Sequence, residues 1–197
     1  MSERIVLASG SASRVAMLRD AGVPHDVMPT AVDEAAIKRD LADSAPADLA
    51  AALALAKARA GSDAAPGRIV LGGDSLVALD RRIYDKPADR ADAAAHLAQF
   101  SDRTIALHSA AALVRDGATL ATTADVAQLV VRPLSPAFIE AYLDAEWPAI
   151  AACAGCFRIE GPGDQLFSSL EGDHFTILGM PLMGLLKELR GLGVMTS

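Results

Sequence analysis

Asp74 follows directly on the apolar run Ile69-Val70-Leu71-Gly72-Gly73, which puts a carboxylate at or near the end of a buried strand, where α/β proteins often gather functional groups. Taken alone, it reads as well as a strand-end acid capping a turn. Farther on, Asp85-Lys86-Pro87 offers a lysine on a rigid turn, and a strand that doubles back would return Lys86 toward Asp74. Asp33 and Glu34 stand side by side and supply the oxygen ligands that Mg2+ takes together with water and substrate phosphates. Adjacent acids more often mark a solvated loop. Lys57 and Arg59, near the end of an Ala/Leu-rich run, read first as solvent-facing helix charges. The stretch Ala8-Ser9-Gly10-Ser11-Ala12-Ser13-Arg14 adds hydroxyls, backbone N–H groups and one cation after a short apolar strand. Gathered in one place, these groups make a metal-and-phosphate site, with cations neutralising phosphate oxygens while a carboxylate activates or orients water.

Several other motifs are excluded by the residues themselves. The first loop lacks the second glycine and the lysine of G-x-x-x-x-G-K-[ST], so it is not a P-loop. Neither G-x-G-x-x-G after the first strand nor G-x-S-x-G occurs. Cys153-Ala154-Gly155-Cys156 has C-x-x-C spacing, but no second Cys/His pair completes a zinc site, and two reduced, partly buried thiols are expected. His25, His96, His108 and His174 are scattered and receive no role. Trp147, before Pro148, is expected to pack rather than to stack on a base.

The elements that must position these groups follow from periodicity and punctuation. A buried strand at Ile5–Ala8 leads through the loop into a helix ending near Gly22. Residues 29–38 read as a turn into a partly helical segment, and residues 45–61 as a long helix. Residues 68–87 read as a buried strand running past Asp74 to a turn at Asp80-Arg81, and residues 88–100 as a helix. Two β-like runs flank Arg115-Asp116-Gly117-Ala118 and predict a hairpin, and Ser135 is placed to cap a helix beginning at Pro136. The glycine-rich stretch from Cys153 to Pro181 suits tight loops near a ligand, and a Leu-rich helix closes the chain. No linker or internal repeat divides the 197 residues, so one domain spanning 1–197 is expected.

Composition narrows the functional classes. Hydrophobic residues make up 52% and aromatic residues only 4%, which predicts a core of Ala, Leu, Val and Ile. A net charge of −7 argues against an extended nucleic-acid surface while allowing a small anionic substrate where a few cations converge. No signal-like segment or bilayer-length apolar run is seen, so a cytoplasmic protein without a membrane partner is expected.

Ordered along the chain, "LASGSASR", "VDE", "LALAKA", "GGDSLV", "DKP", "AGCFRIEG" and "LEGDHFTILGMPL" resemble the Maf family of septum-formation-inhibitor-like nucleoside triphosphate pyrophosphatases. The resemblance implies a Maf/Ham1 (ITPase-like) α/β fold, with a mixed twisted sheet flanked by helices and a cleft between two lobes. It implies hydrolysis between the α- and β-phosphates of a nucleotide, with Asp74 as general base and Glu34 and Asp74 at Mg2+. It also implies that Ser9, Ser11, Arg14, Lys57 and Lys86 hold the triphosphate. Family members often form homodimers. Departures are visible: Ala12-Ser13-Arg14 stands for the usual Pro-Arg-Arg, and Thr104-Ile105 for a Thr-His pair. Glu160 replaces the glutamine of members preferring dTTP and UTP, and the "CAGCFRIEG" segment is closer to the 7-methyl-GTP-preferring subgroup. Ser13, Ser75 and Glu160 occupy positions linked to that choice, and the base stays open. A nucleotide-binding regulator of cell division with weak or no hydrolysis is the alternative.

Overall fold

A computed structural model describes residues 3–196. The chain forms an α/β protein around a seven-stranded sheet whose order is β2-β1-β3-β5-β6-β7, with β4 paired to β3. The strands are β1 (Ile5–Leu7), β2 (His25–Val27), β3 (Val70–Leu79), β4 (Arg82–Tyr84), β5 (Thr104–Arg115), β6 (Ala118–Val131) and β7 (Phe167–Glu171). β1 runs parallel to β2 and β3, whereas β3–β4 and β6–β7 are antiparallel, so the expected mixed sheet is present. The helices are α1 (Ala12–Asp20), α2 (Glu34–Asp40), α3 (Pro46–Ala64), α4 (Arg90–Phe100), α5 (Pro136–Glu146), α6 (His174–Ile177) and α7 (Leu182–Gly191). No described helix is long and apolar enough to cross a membrane.

The contacts divide into two compact units. The first contains the chain up to Ser75, His108–Asp125, and the chain from Asp173 onward. In it β1 is buried on both faces, as its unbroken apolar run requires. Ile5 and Leu7 join Leu18, Leu71, Leu113 and Leu185 in the main core, while Val6, Ala8 and Val70 form the opposite face. α3 lies very close to that opposite face. A Cβ built on Gly61 would meet Val70 Cγ1 at 2.7 Å and Ala8 Cβ at 3.0 Å, and one on Gly72 would meet Ala58 Cβ at 2.9 Å. The stripe Ala54, Ala58 and Gly61 recurs at helical spacing, and its small side chains permit this approach. The alanine richness of the chain therefore has a packing purpose here.

The second unit contains Leu76–Leu107 and Val126–Gly172. Asp80 and Arg81, at φ 49° and 74°, form the expected tight turn between β3 and β4. Tyr84 of β4 packs edge-on against His96 and Phe100 of α4, with ring centroids 5.1 and 4.7 Å apart. Asp89 caps α4 by accepting from Asp92 N–H, and Ser135 caps α5 by accepting from Phe138 N–H, the latter as the sequence predicts. β5 and β6 are joined through Asp116 and Gly117, at φ 49° and 77°, which produces the predicted hairpin. β2, β7 and α6 are additional short elements that the sequence pattern did not announce.

Candidate active site

The first unit gathers most of the predicted polar residues beyond the end of β1 and along β3, where Asp74 is the fifth of ten strand residues. The two glycines before it do not stop the strand, which continues through Leu79, so the acid lies within the strand and not at the end the apolar run suggested. These strands are held in register by Val6 N–H donating to Ile69 O and Ala8 N–H donating to Leu71 O. Past the end of β1 the chain turns into α1, with Ser11 as its N-cap. Ser9 Oγ accepts from Ser11 N–H at 3.2 Å and from Arg14 Nη1 at 3.3 Å. Both contacts use Ser9 Oγ as acceptor, which leaves its O–H available as a donor. Ser11 Oγ likewise accepts from Arg14 N–H, at 3.5 Å.

Arg14 is fixed from several sides. Its Nε donates to Gly179 O at 3.0 Å, and a Cβ on Gly73 would lie 3.2 Å from that nitrogen. Gly179 has φ +102°, a conformation glycine adopts without strain, and this turns its carbonyl toward the guanidinium. Burial lowers the Arg14 pKa, opposed by attraction to Asp74 and Glu34. The guanidinium therefore lies within the field of both acids.

Asp74 is 6% exposed, and its Oδ1 accepts from Lys57 Nζ at 2.5 Å. The same ammonium lies 2.8 Å from Glu34 Oε1. Lys57 is thus not the solvent-facing charge its sequence context suggests first: α3 is close enough to the sheet to direct it onto Asp74. Asp33 is committed elsewhere, accepting Ala36 N–H at 2.9 Å as the N-cap of α2. Among the described residues no group of three or more His, Cys, Asp or Glu side chains gathers to hold a metal. Glu34 and Asp74 are nevertheless carboxylates of the kind that could hold Mg2+ together with water and phosphate.

Ser13 lies half-buried in α1, and Ser75 half-buried in β3. Ser109 Oγ sits 3.1 Å from Ser75 Oγ and 2.8 Å from the Thr176 carbonyl. The carbonyl can only accept, so the single Ser109 proton belongs there and Ser75 supplies the proton between the hydroxyls. Thr176 Oγ1 in turn donates to Asp125 Oδ2 at 2.8 Å. Ser109 and Gly179 escaped the sequence reading, although a hydroxyl inside the apolar run of β5 is a visible signal.

Lys86 and Glu160 belong to the second unit, where both are exposed. Both act electrostatically on Cys153: burial raises its thiol pKa, Arg158 and Lys86 lower it, and Glu160 raises it. Arg158 also grips Glu146, its Nε and Nη2 lying 3.0 and 2.9 Å from Oε2. Cys153 and Cys156 are free thiols, as the sequence reading expects. Ile105, in place of the histidine expected from the resemblance, is fully buried in β5.

A buried carboxylate–lysine pair beside a hydroxyl- and arginine-bearing loop, on an α/β sheet, defines a protein equipped for polyanion chemistry. The profile of Maf-like proteins matches residues 4–192, and the chain belongs to the Maf family. It is 47% identical to a nucleoside triphosphate pyrophosphatase of Nitrobacter winogradskyi over 96% of this chain and 94% of that one. It is 46% identical to a 7-methyl-GTP pyrophosphatase of Mesorhizobium japonicum over 98% of each chain. A solved HAM1 protein from Coxiella burnetii aligns at 20% identity over 66% of this chain and 73% of that one, with a TM-score of 0.41.

Proposed function

We infer that the chain is a nucleoside triphosphate pyrophosphatase, hydrolysing the α–β phosphoanhydride to a nucleoside monophosphate and pyrophosphate. The observation that carries this reading is the Lys57 ammonium held between Asp74 and Glu34, in a site that also contains Arg14. The pyrophosphatase names of the full-length relatives support it.

In this reading Asp74 is the general base. Lys57 occupies Oδ1, and Oδ2 takes a proton from the water that attacks the α-phosphorus. Ser9 and Ser11 donate their hydroxyl protons to phosphate oxygens, assisted by the N-terminus of α1. Arg14, Lys57 and Lys86 neutralise charge on the triphosphate and on the departing pyrophosphate. Glu34 and Asp74 would hold Mg2+, which when bound neutralises phosphate oxygens that the protein cations do not reach. Ser13, Ser75 and Glu160 select the base, with 7-methyl-GTP the first candidate because a relative of that name is nearly half identical. The enzyme is read as cytoplasmic, and the resemblance leaves a homodimer open.

The test is pyrophosphate release from a panel of 7-methyl-GTP, dTTP, UTP and CTP with Mg2+. Release of pyrophosphate from at least one is expected. No release from any would leave the nucleotide-binding regulator, and orthophosphate as first product would indicate terminal phosphate cleavage. Asp74→Asn should lower turnover by about 100-fold or more while nucleotide binding stays measurable. Unchanged turnover would remove Asp74 from its role.

A further inference from the structure

His96 is 9% exposed and Cys156 fully buried, and neither takes part in the chemistry described above. They lie on a line of polar contacts within the second unit. Ala88, immediately after the Asp85-Lys86-Pro87 turn, donates its N–H to Asp92 Oδ2 at 3.0 Å. Asp92 Oδ1 lies 3.5 Å from His96 Nε2, one helical turn along α4. His96 Nδ1 lies 3.6 Å from Cys156 Sγ, and the Cys156 carbonyl accepts from Tyr142 OH at 3.1 Å. The ring itself packs against Tyr84, two residues before Lys86.

The chemistry of the partners sets the direction of each contact. A carboxylate can only accept, so the neutral tautomer that faces Asp92 with its proton on Nε2 leaves Nδ1 with a lone pair. Cys156 must then donate its S–H to Nδ1. Its thiol is suited to this: burial, with repulsion from Asp92 and Cys153, pushes its pKa up to about 12, which keeps the proton on sulfur. The backbone gives a second reason to single out Cys156. It has φ +60°, a left-handed conformation in which glycine would sit without strain, directly after Gly155 at φ +85°. In this conformation the Cys156 side chain is held against His96.

We propose that Cys156, His96 and Asp92 form a positioning link that ties the Cys153–Glu160 loop to the turn carrying Lys86. Cys156 acts as a thiol donor in it, not as a nucleophile or redox centre. The functional part of the proposal rests on Lys86 being a triphosphate cation. The link gives Lys86 a fixed base and couples it to the loop bearing Glu160.

The experiment compares Cys156→Ala, His96→Phe and Cys156→Ser by amide hydrogen exchange at Ala88 and by kcat/KM, each also in a Lys86→Ala background. Cys156→Ala and His96→Phe should each speed exchange at Ala88 and lower kcat/KM by about 10-fold. Cys156→Ser, which restores an O–H donor, should recover most of both. With Lys86 already removed, the loss in kcat/KM should disappear, because a residue acting through Lys86 cannot act without it. If His96→Phe fails to fold, Cys156→Ala alone decides the same comparison. Unchanged exchange at Ala88 in Cys156→Ala overturns the link, whatever the activity. Additive losses in the Lys86→Ala background overturn its action through Lys86. A wild-type protein that cleaves no nucleotide defeats the proposed function instead, and the exchange comparison still decides the link.

Discussion

Gly72→Ala is a demanding test of the site because it touches no polar atom. The added Cβ would lie 2.9 Å from Ala58 Cβ and closer still to the Ala54 carbonyl oxygen and the Ala58 amide nitrogen. Carbon contacts relax at about 3.5 Å, so α3 must withdraw from β3 by about 1 Å once the two backbone atoms are included. Backbone cannot swing aside like a flexible side-chain tip, which puts the cost at the upper end of overpacking, about 3 kcal/mol. For a chain of this size that lowers Tm by about 6–12 °C. The same displacement carries Lys57 away from Asp74, where Nζ and Oδ1 are now 2.5 Å apart. A shift of about 1 Å in such a group predicts a fall in kcat/KM of about 100-fold. The assays are thermal unfolding and pyrophosphate release, with Gly191→Ala in α7 as control because no heavy atom approaches its would-be Cβ. That control should change stability by less than about 1 kcal/mol and leave turnover alone. Gly72→Ala with Tm within about 2 °C of the parent and undiminished kcat/KM would refute the view that close α3–β3 packing holds the lysine in place.

Arg158→Met strands Glu146, whose side chain is only 4% exposed, without its partner, while the arginine itself is 45% exposed. Its hydration moderates the loss, which should show as a lowered urea midpoint, and adding Glu146→Gln should recover part of it. An additive double variant would contradict the buried-carboxylate explanation. The raised Cys156 pKa makes a pH prediction: the unfolded chain loses this proton first, so the thiol's contribution is present below about pH 9 and lost as pH rises toward about 12. The alkaline limb of stability should flatten in Cys156→Ser, and a thiol reagent at pH 8 should modify Cys156 far more slowly in the native than in the denatured protein. Rapid native labelling would contradict its burial.

The strand bearing Asp74 and the longer helices were readable because each is written in local order: an apolar run holding an acid, the cap at Ser135, apolar positions at helical spacing. The tight turns were readable because Asp-Arg and Asp-Gly pairs interrupt β-like runs. β2 has only three residues, and its pairing with β1 decides its state more than its own pattern does. Lys57 shows the same limit in the site. Its neighbours mark it as helical, but its pairing with Asp74 depends on how closely Ala54, Ala58 and Gly61 let the helix approach the sheet. Ser109 and His96 acquire meaning only from groups distant in the chain, Thr176 and Cys156. A single sequence records their types without recording that encounter.

The division of the chain into interleaved segments also bears on how the protein is made. Arg14 is seated by the carbonyl of Gly179, 165 residues later. Ser109 likewise joins Ser75 to Thr176. During translation the β1 loop leaves the ribosome early, yet its arginine lacks the Gly179 carbonyl until residue 179 has emerged. The second unit consists of two intervening stretches and ends at Gly172. Synthesis therefore places the Lys86 turn and the Cys156 loop before it completes the Asp74 site, and a ribosome stalled before residue 173 would carry a nascent chain without an assembled phosphate cradle.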